Sequence, residues 1–363
     1  MMKRILILSE PFGSGHTMVA KAIRDLIICN KAGWKVDVLE LSSLLRPAIS
    51  QMISFAYLQS LKYSPSLWAK IYKKTQYTPI PAHTQFLLRH LMYARIEAVI
   101  KEHQPDVIIC THPFPAMMIS KLKKSGLHVM LCTVVTDYCF HSSWVNDGVD
   151  VYLLPSDNVF QEFIQFGVSP SKLKVTGIPV QPKFLIKSNK TLVRKKLGLA
   201  DMPTILCMGG GLGVGFDKEL IDMILTTQNI QILFVTGRNN RLYQMIETNG
   251  YDKDYVHLFS FVENVDELMD ASDLMITKPG GVTCAEALVK KLPTLLLQPL
   301  PGQEEGNLLF MNKHQYSMYT PDGGSLNRCL ESFSNNPTKF LDYFHIQYNN
   351  DNQDNVLEVL GSI

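Results

Sequence analysis

The sequence predicts an α/β protein built from two Rossmann-like, doubly wound domains. Three observations lead there. Short apolar runs alternate with helical periodicities, the alternation occurs twice, and a stretch rich in chain breakers separates the two sets. At 363 residues the chain is too long for one ordinary core and suits two of roughly 150 residues each.

In the first set, Arg4–Ser9 reads as a buried strand and Thr17–Asn30 as a helix. Strand-like runs follow at Lys35–Leu41, Asp106–Thr111, Val129–Val135 and Val151–Leu154. The second set repeats the pattern at Thr204–Met208, Gln231–Thr236, Val256–Phe261, Asp273–Thr277 and Pro293–Gln298. The join falls near Gly177–Lys190, where GIPVQPKF is followed by the polar KSNKT. The expected domains are therefore residues 1–182 and 183–336. Residues 337–363 form a terminal segment, with Pro337–Tyr348 as the candidate helix that returns to the first domain. Asn349–Asn355 is polar and expected to be loosely held.

An apolar fraction of 46% and a charged fraction of 19% belong to a folded protein, and a net charge of +2 points to no nucleic-acid partner. The seven cysteines include no C-x-x-C pair, which argues against a zinc ribbon and for a reducing, cytoplasmic setting. Ile5–Leu8 is too brief for a signal-peptide core, and no run approaches a membrane span. Membrane contact, if any, is expected to be peripheral.

The chemistry concentrates between Thr277 and Asn307. TKPGGVTCAEAL begins where a strand ends. Gly280 and Gly281 let the backbone turn tightly, and a helix starts at Val282. Free N–H groups and the positive helix end then face the turn, which suits phosphate. Thr283 can add a hydroxyl. Glu286, a turn further in, would repel phosphate but suits a pair of ribose hydroxyls. The next strand ends in PLPGQEEGN, so Gln303, Glu304 and Asn307 reach the same sheet edge with groups that suit sugar hydroxyls. Gly-Gly before a helix is also a common tight turn, and Gln-Glu-Glu a common helix start. Their place on successive strand ends favours a ligand. Gly209, Gly210 and Gly211 follow the first strand of the second domain, where a loop can close on a diphosphate. Arg238 can add positive charge or stand as an ordinary solvated arginine.

GSGH, at Gly13–His16, is not a dinucleotide fingerprint, because Met18 stands where its third glycine belongs. At a helix start, His16 is kept neutral by the helix dipole and can take a proton from an acceptor hydroxyl. A histidine there can also serve merely as a cap. Asp137 can orient His16, assist it, or hold the acceptor. His112, Asp137 and His141 lack the spacing of a metal site, and no metal or cofactor is expected.

The run ITKPGGVTCAEALVKKLPTLLLQPLPGQEEGN resembles the donor-site signature of the diacylglycerol glycosyltransferases. These comprise monogalactosyldiacylglycerol synthases and processive diacylglycerol glucosyltransferases. GSGH, VVTDYCFHSSW (Val134–Trp144), TGIP (Thr176–Pro179) and MGGGLG (Met208–Gly213) extend the resemblance over most of the chain. It implies a GT-B fold, with two domains facing a central cleft, a UDP-sugar donor and an inverting mechanism. It implies further that Glu286 holds the ribose and Gly280–Thr283 the diphosphate. Gln303 and Glu304 would face the sugar, and Phe261 and Val262 the uracil. Gly15, His141 and Trp144 would lie on the acceptor side.

No acidic residue occurs between Glu40 and Glu97, while Arg46, Lys62, Lys70, Lys73, Lys74, Arg89 and Arg95 do. Aromatic residues, among them Phe55, Trp68, Tyr72 and Phe86, are interleaved. Such a stretch suits an anionic membrane surface, though a solvated helical pair would read alike. The combined expectation is transfer of a hexose from a UDP-sugar to a membrane lipid hydroxyl, diacylglycerol by resemblance. Three alternatives stay open: another acceptor, a UDP-sugar 2-epimerase of the same architecture, and a non-catalytic membrane-binding protein.

Overall fold

The computed structural model describes residues 3–31, 33–251, 254–346 and 351–362. The side chains of residues 58, 61, 62, 82, 89, 249 and 351–355 lie outside the described ones. Two compact units result. One comprises Met1–Pro182 with residues 301–303 and 350–363; the other comprises Lys183–Leu300 and Glu304–Asn349.

The first unit holds a six-stranded parallel sheet. Its strands are β1 (Arg4–Ser9), β2 (Lys35–Glu40), β3 (Val107–Cys110), β4 (Met130–Val134), β5 (Val151–Leu154) and β6 (Leu173–Val175), in the order β2-β1-β3-β4-β5-β6. β3 is buried throughout, as a central strand covered by helices on both faces must be. The helix Ser14–Asn30 buries Val19, Ala20, Ile23, Leu26 and Ile27, an i, i+3, i+4 stripe that lays it on the sheet. Strand order reverses between β1 and β3, which makes their carboxyl ends the switch point where such sheets bind ligands.

The second unit repeats this with β7 (Thr204–Met208), β8 (Gln231–Val235), β9 (Val256–Phe259), β10 (Leu274–Thr277), β11 (Thr294–Leu296) and β12 (Ser317–Tyr319). Its order, β12-β11-β10-β7-β8-β9, is the doubly wound Rossmann order read from the other edge, with the switch point between β7 and β10. β6 and β12 carry no signal in the sequence. Each is a three-residue edge strand, too short to show an apolar period.

The terminal segment expected to return to the first domain is divided between the two units. Pro337–Leu341 does not return to the first domain, because Phe340 and Phe344 are buried in the second unit's own core beside Phe333. The helix grouped with the first unit is Asp351–Ser362, which packs near Ser14–Asn30. Of the stretch expected to be loosely held, residues 349 and 350 lie outside the described ones, and 351–355 are helical.

Between β2 and β3 the first unit makes a long helical excursion through Leu41–Leu45, Pro47–Tyr63, Pro65–Gln76, Ala82–Met92 and Ile96–His103. One buried carboxylate, Glu10, ties its two ends together. It accepts from the Ser42 hydroxyl and amide at the entrance and from Tyr93 Oη (2.8 Å) at the exit. Burial pushes the Glu10 carboxyl up to about 7. Ten of the eighteen exposed large hydrophobic side chains described lie on this excursion, with Met52, Phe55, Tyr63, Leu67 and Phe86 each more than half exposed. That concentration exceeds the scattered apolar residues of an ordinary surface.

Candidate functional site

The first unit's candidate chemistry gathers at the β1/β3 switch point. His16 lies in the first turn of Ser14–Asn30, whose entry requires Gly13 at φ 94°. Its Nδ1 is 2.8 Å from the Thr111 carbonyl oxygen and 3.0 Å from Thr136 Oγ1. A carbonyl only accepts, so Nδ1 carries the proton and Nε2 keeps its lone pair. Thr111 Oγ1 donates to the His16 carbonyl (2.9 Å), so the two residues hold each other by backbone and side chain. Burial lowers the His16 pKa, against the opposing charge of Asp137 and the bond to Thr111. Asp137, half-buried directly after Thr136, is thus electrostatically linked to His16.

His112 packs edge-on against His16, ring centroids 4.6 Å apart, and is held neutral by burial. Its Nδ1 accepts from the Phe114 amide and caps the next helix. Thr111, Thr136 and His112 were not singled out from sequence as partners of His16. Their signal was positional: each follows a strand of the same sheet. Among the described residues, no group of three or more His, Cys, Asp or Glu side chains is placed to hold a metal.

Trp144 is buried in the core, its ring 6.3 Å from His16. Gly15 lies in the helix beside His16. His141 has structural duties. Its Nδ1 accepts from the Ser143 amide, and its Nε2 is 3.3 Å from Thr75 Oγ1 on Pro65–Gln76. Burial lowers its pKa to about 4. Ser142 Oγ donates to the Thr75 carbonyl (2.8 Å), so this loop pins an amphipathic helix to the sheet.

The second unit carries its candidate residues, Gln303 aside, along the carboxyl edge of its sheet, on both sides of the β7/β10 switch point. After β7, Gly209–Gly213 folds onto the end of β8. A Cβ on Gly213 (φ 58°) would come within 2.0 Å of the Thr236 carbonyl oxygen, and one on Gly209 within 2.3 Å of the Val214 carbonyl oxygen. Only glycine permits this approach. The Arg238 amide donates to the Gly211 carbonyl (3.1 Å), so Gly210 and Gly211 lie beside the turn after β8. The exposed Arg238 guanidinium sits 5.0 Å over the Phe261 ring, a cation–π pair at the end of β9. Val262, beside it, is half-buried.

After β10, Gly280 caps the helix Gly281–Lys290, whose first turn contains Thr283. Glu286 is 7% exposed, and its carboxyl receives no hydrogen bond from any described residue. Burial pushes it up to about 8, against Lys183 and with Asp266. After β11, the helix Gln303–Lys313 begins at Gln303. Glu304 is buried, pairs with Lys278 and accepts from the Leu300 amide (2.9 Å). Asn307 is fully buried and its Nδ2 donates to the Pro279 carbonyl (3.0 Å), bracing the Pro279–Gly281 turn. The sequence leads one to expect Glu304 and Asn307 against a sugar; what the structure shows is that both tie the β11 loop to the β10 loop.

Two parallel sheets, each with its candidate residues around a switch point and one with glycine loops around a helix N-terminus, define a nucleotide-sugar enzyme of the GT-B class. Residues 16–180 match the monogalactosyldiacylglycerol synthase family, and residues 205–324 match the glycosyltransferase family 28 C-terminal domain. The processive diacylglycerol beta-glucosyltransferase of Bacillus pumilus is 33% identical over 324 residues, 86% of this chain and 82% of that protein. Among solved structures, Anabaena HepE in complex with UDP-glucose aligns at TM-score 0.59, 15% identity, 99% of this chain and 100% of that one. Acinetobacter baumannii MurG aligns at TM-score 0.62, 13% identity and 99% of both chains. The chain belongs to the diacylglycerol glycosyltransferase family.

Proposed function

We propose that the protein transfers a hexose from a UDP-sugar to the hydroxyl of diacylglycerol, with inversion at the anomeric carbon. The observation that carries the donor half is Glu286: a buried carboxyl with no hydrogen-bond donor among the described residues, one turn into the helix that opens at Gly280–Gly281. A pair of ribose hydroxyls supplies the missing donors. The helix N-terminus with Gly280, Gly281 and Thr283 suits the diphosphate, and Gly209, Gly210 and Gly211 border it. Arg238 and Phe261 suit the nucleotide, with Val262 beside the base. Gln303 and Glu304 suit the sugar, while Asn307 acts through its brace on Pro279.

His16 is the proposed base. Its Nε2 lone pair takes the acceptor proton while the acceptor oxygen attacks the anomeric carbon and the bond to UDP breaks. Asp137 then stabilises the imidazolium. Gly15 and Trp144 border this base, and His141 acts through the helix it pins.

The similarity to the Bacillus protein supports diacylglycerol as acceptor. The exposed apolar surface on the acid-free excursion supports peripheral docking to an anionic membrane. The side chains of Lys62 and Arg89 lie outside the described residues, but Arg46, Lys70, Lys73, Lys74 and Arg95 are exposed. No described helix is long and apolar enough to cross a membrane. The seven free cysteines suit the cytoplasmic face. Vesicle flotation tests the docking: binding should need anionic lipid and weaken with salt, and indifference to both would remove it.

A further inference from the structure

Lys278 follows β10 directly and stands at the centre of the second unit's loops. Its ammonium pairs with Glu304, and the two side chains are only 16% and 8% exposed. A Cβ on Gly210, Gly215 or Gly280 would stand 3.8, 3.6 and 3.5 Å from its Cε, Cβ and Nζ respectively. Lys278 therefore runs along both glycine loops and ends beside Gly280. The same point beside Gly280 lies 3.9 Å from Thr283 Oγ1. An ammonium, a hydroxyl and the N-terminus of a ten-residue helix thus converge on one backbone position that carries no side chain. All three favour an anion.

Glu304 is held by its other oxygen through the Leu300 amide, so the carboxylate is fixed while the long lysine side chain can turn. Resting on the UDP-sugar reading above, we propose that Lys278 is a diphosphate-binding residue that works by ion-pair exchange. Its ammonium passes from Glu304 to the donor diphosphate, and the released carboxylate accepts hydroxyls of the donor sugar. A buried carboxylate left alone is costly, so UDP without a sugar completes only half of the exchange. Glu304 then makes the sugar itself a condition of tight donor binding.

Calorimetry with uridine, UDP and UDP-glucose on the full-length protein tests this. Lys278→Met should weaken UDP roughly 10- to 100-fold, the loss of one charged hydrogen-bonding partner, and leave uridine within about twofold. Lys278→Arg should restore most of the UDP affinity. Glu304→Gln should leave UDP as tight as in the wild type, or tighter, and abolish the preference for UDP-glucose over UDP. Unchanged UDP binding by Lys278→Met would overturn the exchange. So would an equal loss of uridine and UDP, which marks the pair as a structural tie. Wild-type protein that binds neither uridine nor UDP would remove the donor-site reading itself.

Discussion

The Nδ1 atom of His16 is 2.8 Å from the carbonyl oxygen of Thr111, and that contact determines which ring nitrogen is free to act. With Nδ1–H committed, Nε2 is the basic atom, and burial keeps it unprotonated below the usual histidine range. The base is therefore active above its lowered pKa and lost as pH falls through it. The acid limb of kcat/KM is expected below about pH 6.5, the ordinary value. His16→Ala should lower turnover by at least about 100-fold and spare UDP affinity. Near-normal turnover would remove the assignment.

Glu286 gives a second pH dependence, of opposite use. Its folded pKa of about 8 lies above the ordinary carboxyl value of 4.5. Between those values the unfolded chain has lost the proton and the folded protein has kept it, so stability falls as pH rises. The slope is at most about 1.4 kcal/mol per pH unit. Glu286→Gln should therefore raise the melting temperature relative to wild type at pH 8, with the gain vanishing near pH 4.5. Ribose hydroxyls need the ionised carboxylate, so UDP binding should release protons at pH 7 and tighten towards pH 8. Calorimetry in buffers of different ionisation enthalpy reads this directly; pH-independent binding with no proton release would contradict it. In Glu286→Gln, UDP should bind severely more weakly.

Much of this was legible beforehand, for identifiable reasons. Strands such as Arg4–Ser9 and Thr204–Met208 are buried almost end to end, so their apolar runs mark them. The Gly280–Glu286 segment is legible because a glycine pair stands between a buried strand and an apolar helix. Lys278 escaped notice because a lone lysine in a sequence carries no record of the loops it will lie against. The structural part played by His141 was hidden for a related reason: beside its bond to Ser143, its bond to Thr75 depends on a helix that lies more than sixty residues away in the sequence. The returning helix was misplaced because Pro337–Tyr348 has apolar residues in both readings. Only packing shows that Phe340 and Phe344 complete the second core.

Gly213 tests the loop after β7. Gly213→Ala forces a Cβ to within 2.0 Å of the Thr236 carbonyl oxygen at φ 58°, and the loop must move. A loss of roughly 2–5 kcal/mol in stability, with UDP binding abolished, is expected from thermal melts and calorimetry. Gly198→Ala is the control: its φ is 70° but nothing lies within 4 Å, so only about 1 kcal/mol is at stake.

Phe55 and Phe86 test the apolar surface. They are 64% and 63% exposed, so Phe55→Ser with Phe86→Ser should leave stability within about 0.5 kcal/mol. If these rings enter the bilayer interface, each contributes on the order of 1 kcal/mol, and the double variant should bind anionic vesicles at least about tenfold more weakly. Soluble UDP binding should not change. Equal flotation of wild type and variant would move the docking surface elsewhere.

Transfer to a lipid hydroxyl is the central step, and one assay reaches it. Purified protein is incubated with UDP-glucose, UDP-galactose or UDP-N-acetylglucosamine labelled in the sugar, with and without vesicles containing diacylglycerol, and the lipid and soluble fractions are separated. Label should enter a glycolipid only when diacylglycerol is present, with one UDP released per sugar transferred and the anomeric configuration inverted. Label that stays in the soluble fraction, as an epimerised UDP-sugar formed equally well without acceptor, would contradict it.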